Sequence, residues 1–307
     1  MPSDIHGILL LDKPLGLSSA GAVARAKQLF GARKAGHTGS LDPLACGLLP
    51  ICFGEATKFG AQLLDADKSY RVTARLGERT ASADRESEVI ERRELAGFSS
   101  EDLQRALAQF PREYAQVPPM HSALKLDGKP LYAYARAGIT VAREARVIGI
   151  RELRLLDWQP PDLTFDVRCT KGAYIRVLAE DLAARLGTIA HLVGLRRLGV
   201  APFEAEPQYS FEALESMSAA GRLEVLLPVD AALAGWRRLD LPAAELSALR
   251  QGQTVTIAAE VPGSAPLSVP GTVRIYAAGF GFLGLGELQA HGRLVPLRLI
   301  SGKRIPA

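Results

Sequence analysis

One aspartate of this chain lies in a segment whose residue types suit covalent chemistry. Asp42 stands within residues 37–47, among small, apolar and conformationally special neighbours. Gly39 and Gly47 permit tight backbone turns, and Pro43 fixes the chain directly after the carboxylate. A carboxylate on a rigid, half-buried turn suits a nucleophile or a general base. The alternative is an aspartate that merely initiates a turn before proline, so the choice depends on the rest of the chain.

A second segment, residues 118–146, combines cations with aromatic rings. It holds five basic and two acidic residues, with Tyr132, Tyr134 and His121 among them. Cations bind phosphates while aromatic rings stack on unpaired bases, as recognition of looped RNA requires. The alternative is a surface loop and helix whose tyrosines belong to the core. Residues 78–115 carry nine acidic and six basic residues, so the positive charge is local.

Composition places the chain among globular proteins. With 307 residues, 48% of them hydrophobic and 23% charged, it can hold one large domain, or a large and a small one. Cys46, Cys52 and Cys169 lack the C-x-x-C spacing of a zinc site and do not suggest a disulfide framework. No signal peptide and no membrane-spanning apolar stretch is found in the sequence, so we expect a cytoplasmic protein without a membrane partner.

The elements that must position these segments are mixed along the chain. Residues 8–11 form a buried strand by pattern, and Ser18 or Ser19 can cap a helix that Gly31 ends. Alternation in residues 70–76 and 163–169 predicts half-buried strands. Further helices are predicted from Ser99, with Asp102 in a capping box, and over residues 174–186. Strands and helices do not alternate regularly. The prediction is therefore a mixed α/β (α+β) fold with a mainly antiparallel sheet and helices packed on it.

A domain boundary is predicted near residues 228–235. Beyond it, short apolar runs at 254–257, 272–275 and 282–285 are separated by turn residues, as in a small β-barrel. Residues 237–307 hold eight basic and four acidic residues. That excess fits either nucleic-acid binding or an ordinary solvated surface.

Five motifs taken together resemble one known family. They are residues 11–16, 37–47, 70–72, 171–176 and 195–197. The chain resembles the tRNA pseudouridine synthase B family, which isomerises uridine 55 in the T-arm of tRNA. Ser40 and Cys46 differ from the commoner family choices. The tail resembles the PUA domain, an RNA-binding β module.

The resemblance implies a catalytic set. Asp42 would be the nucleophile, or would drive elimination at the sugar, and the sequence leaves both routes open. Arg176 would hold the carboxylate ionised in a bidentate pair. The ring of Tyr70 would stack on the target base, with its hydroxyl near C5. The reaction changes no redox state and transfers no phosphate, so the resemblance implies no cofactor and no metal.

The resemblance also implies residues that bind the substrate. Tyr174 and Leu195 would shape the base pocket, and His37 would help to displace the target nucleotide from its stack. Lys13 would support the Asp42 turn or contact a phosphate. Lys125 belongs to the basic segment that would contact the RNA.

The expected organisation is a catalytic domain at 1–232, with 118–146 as an RNA-clasping insertion, and a PUA-like RNA-binding domain at 233–307. The expected partner is the T-arm of tRNA. We expect a monomer with no obligatory protein partner. Two alternatives remain open: an RNA-binding factor that folds tRNA, and a hydrolytic RNA glycosidase that uses the same aspartate with water.

Overall fold

An eight-stranded sheet is the framework of the larger part of the chain. The computed structural model describes residues 4–95, 97–257 and 268–301. In chain order the strands up to residue 200 are β1 (Gly7–Lys13), β2 (Ala35–His37), β3 (Ala45–Phe53), β4 (Lys68–Leu76), β5 (Glu78–Thr80), β6 (Val89–Arg92), β7 (Glu113–Gln116), β8 (Lys125–Leu126), β9 (Lys129–Pro130), β10 (Arg146–Gln159), β11 (Asp162–Cys169) and β12 (Ala190–Val200).

The sheet is mixed and mainly antiparallel, which confirms the predicted fold class. Its order is β1-β3-β12-β4-β11-β10-β7, with β2 also paired to β3. Only β12 and β3 run parallel among these neighbours in the described part of the chain. Strands β5 and β6, and separately β8 and β9, form two-stranded ribbons. The β8–β9 ribbon lies within residues 118–146.

Helices cover one face of this sheet. The α-helices of the described residues are α1 (Ser19–Phe30), α2 (Gly60–Leu64), α3 (Ser100–Ala108), α4 (Leu131–Arg136), α5 (Ile175–Arg185), α6 (Phe211–Ser216), α7 (Ala219–Glu224) and α8 (Leu246–Arg250). Ser18 caps α1 by accepting a hydrogen bond from Gly21 N, and Gly31 ends it in the left-handed region. The apolar faces of α1, α3 and α5 join the sheet in one core. That core fixes the start of α5 above the sheet.

The strand register brings distant parts of the sequence into one row. Lys13 on β1 pairs with Gly47 on β3, and Gly47 pairs with Arg197 on β12. Arg197 pairs in turn with Tyr70 on β4. Residues directly opposite each other on neighbouring strands are close and share a sheet face. Four of the five motifs therefore meet across four adjacent strands.

The C-terminal strands form a second, curled sheet. They are β13 (Arg238–Leu241), β14 (Val255–Thr256), β15 (Gly271–Ala277), β16 (Gly281–Leu288) and β17 (Arg293–Leu299), in the order β13-β15-β16-β17-β14. This sheet packs against the back of the larger one, where the rings of Phe282 and Phe59 lie 5.2 Å apart. Lys58 Nζ also donates to Leu299 O at 3.0 Å. Over the described ranges, no helix has the length and apolar character needed to cross a membrane.

Candidate active site

The turn that carries Asp42 links β2 to β3 and is held by its neighbours. The Ser19 hydroxyl accepts a hydrogen bond from Leu41 N at 2.7 Å and donates to Leu41 O at 2.9 Å. From the loop after β1, Gly16 N donates to Pro43 O at 2.8 Å. The backbone on both sides of Asp42 is thus fixed, while 44% of its side chain stays exposed. The turn presents a carboxylate to solvent on a rigid base.

Arg176 joins four segments of the chain beside this carboxylate. Its Nη2 lies 3.0 Å from Asp42 Oδ2 and donates to His121 O at 2.6 Å. Its Nη1 lies 3.4 Å from Asp84 Oδ2 and donates to Ser82 O at 3.0 Å. The guanidinium is therefore shared between two carboxylates. This corrects the expected bidentate pair with Asp42, because Nη1 is used on the Asp84 side.

Asp84 is a site residue that sequence reasoning missed. Its Oδ1 accepts hydrogen bonds from Ser82 Oγ at 2.6 Å and Glu86 N at 3.0 Å, which leaves Oδ2 facing Arg176. Only 4% of the Asp84 side chain is exposed. Arg176 stands in the first turn of α5, where the helix dipole disfavours a cation. The two carboxylates offset that cost and keep the guanidinium in place.

Two cavities open on either side of the Asp42–Arg176 pair. The first, of about 300 Å³, is lined by Tyr70, Leu195, Tyr174, Lys68 and Arg197 besides the pair itself. The second, of about 490 Å³, is bordered by His37, Asp84, Tyr132 and Arg136 among others. Ser122 lines both, and its hydroxyl is buried with no partner in the described residues. One carboxylate thus faces two adjoining spaces.

Tyr70, Leu195 and Tyr174 supply the aromatic and apolar walls of the first cavity. Tyr70 and Leu195 are buried on β4 and β12, and Tyr174 stands directly before α5. Burial raises the pKa of the Tyr70 hydroxyl, against a smaller opposite effect of the Arg197 cation. The hydroxyl is therefore neutral at neutral pH. A cavity with aromatic and apolar walls and with hydrogen-bonding groups among its lining suits a pyrimidine ring.

Gln116 holds Tyr174 in place, and no sequence pattern indicated it. Its Oε1 accepts from Tyr174 N at 2.7 Å, and its Nε2 donates to Tyr174 O at 3.1 Å. Nε2 also donates to Tyr114 Oη at 2.8 Å. Gln116 is buried at the end of β7, so it ties the edge of the sheet to the start of α5. A glutamine in a short edge strand carries no spacing signal that could have pointed to this role.

We expect Gln116→Ala to lower the free energy of unfolding by about 1–3 kcal/mol, because it leaves the part-buried Tyr174 N–H without its acceptor. Urea denaturation measures the change. Gln109→Ala, at an exposed position after α3, is the matched control and should be close to neutral. Equal stability of the two variants would contradict the positioning role of Gln116.

His37 lies at the rim of the second cavity, at the end of β2. Burial and the nearby Arg197 cation both lower the pKa of His37. Its Nδ1 is buried and has no hydrogen-bond partner among the residues that the structure describes. A neutral, half-buried ring next to an open cavity can occupy space that a displaced base leaves.

The two lysines of the predicted site lie in different surroundings, one buried and one exposed. Lys13 is fully buried, and its Nζ donates to Pro14 O at 2.9 Å and Leu17 O at 2.6 Å. Burial lowers the pKa of Lys13. A phosphate contact is excluded by this burial, so Lys13 supports the loop that holds Pro43. Lys125 is exposed on β8 and lines neither cavity.

Metal ligation has no candidate cluster here. Across residues 4–95, 97–257 and 268–301, no three His, Cys, Asp or Glu side chains are placed to hold an ion. The two carboxylates near Arg176 pair with that guanidinium instead.

Comparison with known proteins identifies the family. Residues 27–175 match the "TruB family pseudouridylate synthase (N terminal domain)". Residues 176–234 match the "tRNA pseudouridylate synthase B C-terminal domain", and residues 238–300 match "Pseudouridine synthase II TruB, C-terminal". The chain belongs to the TruB family. The resemblance drawn from the five motifs is thereby confirmed.

TruB relatives match over nearly the full length. The tRNA pseudouridine synthase B of Burkholderia mallei (strain NCTC 10247) is 48% identical, over 96% of this chain and 97% of the relative. The protein of the same name from Sodalis glossinidius (strain morsitans) is 47% identical, over 98% of this chain and 97% of the relative.

Two solved structures share the TruB-type fold. A Cbf5-Nop10-Gar1 complex matches with a TM-score of 0.71 at 22% identity, covering 98% of this chain and 85% of that one. An archaeal box H/ACA sRNP Nop10-Cbf5 complex matches with a TM-score of 0.72 at 20% identity, covering 99% of this chain and 87% of that one. At these identities the matches support the fold alone.

Proposed function

We propose that this chain isomerises uridine 55 in the T-loop of tRNA to pseudouridine. The observation that carries the proposal is the Asp42 carboxylate, which lies 3.0 Å from Arg176 on the wall of the cavity that Tyr70, Tyr174 and Leu195 also line. Membership of the TruB family supplies the reaction, and relatives named tRNA pseudouridine synthase B supply the substrate class.

The reaction exchanges one bond to the sugar C1′ for another and moves one proton. The N1–C1′ glycosidic bond breaks, the uracil turns, and C5 joins C1′. The proton lost from C5 is balanced by the proton gained at N1, so product and substrate are isomers. Asp42 attacks the nucleotide or drives elimination at the sugar. One carboxylate with a guanidinium partner, rather than an acid–base pair of carboxylates, distinguishes this site from most glycosidases.

The surrounding residues serve the base and its displacement. Arg176 pairs with Asp42 and orients its carboxylate. Tyr70, Tyr174 and Leu195 enclose the uracil, with the Tyr70 hydroxyl near C5. His37 helps to displace the target nucleotide, since chemistry on a base requires it out of the stack. None of these steps involves electron or phosphate transfer, so the reaction needs no nucleotide cofactor.

The organisation proposed for RNA binding has three parts. Residues 1–232 form the catalytic domain, and 118–146, with Lys125 exposed on its ribbon, clasp the T-arm. Residues 233–307 form a PUA-like module that holds the arm or the acceptor end. We propose that the protein works in the cytoplasm as a monomer without an obligatory protein partner.

The test is pseudouridine mapping on one unmodified tRNA, incubated with the purified protein and a chelator. We expect pseudouridine at position 55 alone, with no added metal or nucleotide. Free uracil in the products would instead identify a hydrolytic glycosidase. Faster tRNA refolding without any modified base would identify an RNA-folding factor. A tRNA left unchanged by well-folded protein would overturn the proposal.

A further inference from the structure

One side chain, Arg197, binds the backbone on both sides of Asp42, and the proposed function gives it no role. Arg197 Nε donates to Leu48 O at 2.6 Å. Its Nη2 donates to Gly39 O at 3.1 Å and its Nη1 to Ser40 O at 3.4 Å. The three carbonyls lie before and after Asp42 in the chain. One planar guanidinium therefore bridges the residues just before Asp42 and strand β3, which follows the turn.

Burying the Arg197 cation costs free energy, and the fold could be built without a charge at this position. Arg197 is 1% exposed. Within the described residues no carboxylate lies within 4.0 Å of its nitrogens, so its partners are backbone carbonyls and the Tyr70 hydroxyl. A buried charge is expensive unless its hydrogen bonds are well made. An apolar side chain would fill the same space, but it could not fix three carbonyls.

The backbones of β3 and β12 approach each other closely beside the Arg197 guanidinium. Gly47 has a φ of +96°, and a Cβ there would stand 2.2 Å from Arg197 O. Only glycine allows β3 to approach β12 at this point. Because Gly47 pairs with Arg197 in the parallel register, the close approach carries the guanidinium under the turn.

The field of Arg197 reaches the walls of both cavities. After burial, it is the next cause that lowers the pKa of His37. It acts in the same order on Lys68, whose pKa is lowered to about 8. The Arg197 guanidinium is thus close to the walls of both cavities as well as to the backbone around Asp42.

We propose that Arg197 is a positioning residue for the reaction: its guanidinium bridges Gly39, Ser40 and Leu48 and so aims Asp42 into the first cavity. This inference rests on the proposed function. Arg197 also borders the first cavity beside Tyr70, but its three backbone hydrogen bonds go to carbonyls on both sides of Asp42. It acts through the backbone of the residues around Asp42.

The test compares Arg197→Met and Arg197→Lys with Arg75→Met as a matched control. Arg75 is a half-exposed arginine on the neighbouring strand β4, paired with Asp162. For Arg197→Met we expect the single-turnover rate to fall by about 10²-fold with the Kd for tRNA within about threefold of wild type, because misplacing a reacting group slows chemistry more than binding. Arg197→Lys keeps the charge but lacks the fork, so most of the loss should remain.

Gly47→Ala disturbs the contact between β3 and the Arg197 backbone from the β3 side. It provides a second test if Arg197→Met does not fold. It should also lower the rate while sparing tRNA affinity. The inference is overturned if folded Arg197→Lys and folded Gly47→Ala both show the single-turnover rate of Arg75→Met. It is also overturned if the variants lose tRNA affinity in proportion to the rate. Wild-type protein measured alongside separates the two claims: if it forms no pseudouridine, the proposed function itself fails.

Discussion

Asp42→Asn is expected to lower the rate of pseudouridine formation by at least about 10⁴-fold, because the reaction has one essential carboxylate and the amide is neither nucleophile nor base. The substitution keeps the shape of the side chain. The turn should stay folded, since Ser19, Gly16 and Arg197 hold its backbone and not the carboxylate. Affinity for tRNA should therefore stay close to that of wild type. Single-turnover assays and filter binding measure the two quantities.

Asp162→Asn is the matched control for Asp42→Asn. Asp162 is also a partly exposed carboxylate paired with an arginine, but it lies on β11 away from both cavities. Its loss should leave the rate near that of wild type. If Asp42→Asn turns over at the control rate, the aspartate has no chemical role. If it loses tRNA binding together with the rate, Asp42 is a structural residue of the turn.

The elements around the site could be predicted because their signals are local. Ser18 and Gly31 fix the ends of α1 through backbone chemistry that depends on no other part of the chain. The alternation of β4 and β11 follows from one buried and one less buried face. The mainly antiparallel sheet followed from the irregular order of strands and helices. These features can be predicted from residues that are close together in the sequence.

The shared guanidinium and the buried lysine could not be predicted, because they depend on which segments meet. Asp84 stands in an acidic stretch that resembles any solvated turn, and only the fold brings it under Arg176. Lys13 lies at the end of an apolar strand, where either solvent or carbonyl groups could receive its amine. Gln116 likewise gains its partners only when β7 reaches the start of α5.

Removing Arg176 is expected to separate stability from catalysis. Arg176→Met should cost about 3–5 kcal/mol in the free energy of unfolding, because Asp84 stays buried without its cation. The same variant should lower the rate of pseudouridine formation by about 10²–10³-fold, the size of effect expected when one charged partner of a reacting group is lost. Urea denaturation and single-turnover assays measure the two losses.

The double variant Arg176→Met/Asp84→Asn decides whether the two losses have different causes. Its asparagine removes the uncompensated charge and can still accept from Ser82 Oγ, so the free energy of unfolding should recover in large part. The rate should not recover, because Asp42 still lacks the guanidinium at 3.0 Å. Recovery of both quantities would mean that Arg176 serves only to neutralise Asp84. Recovery of neither would mean that its bonds to Ser82 O and His121 O are what the site requires.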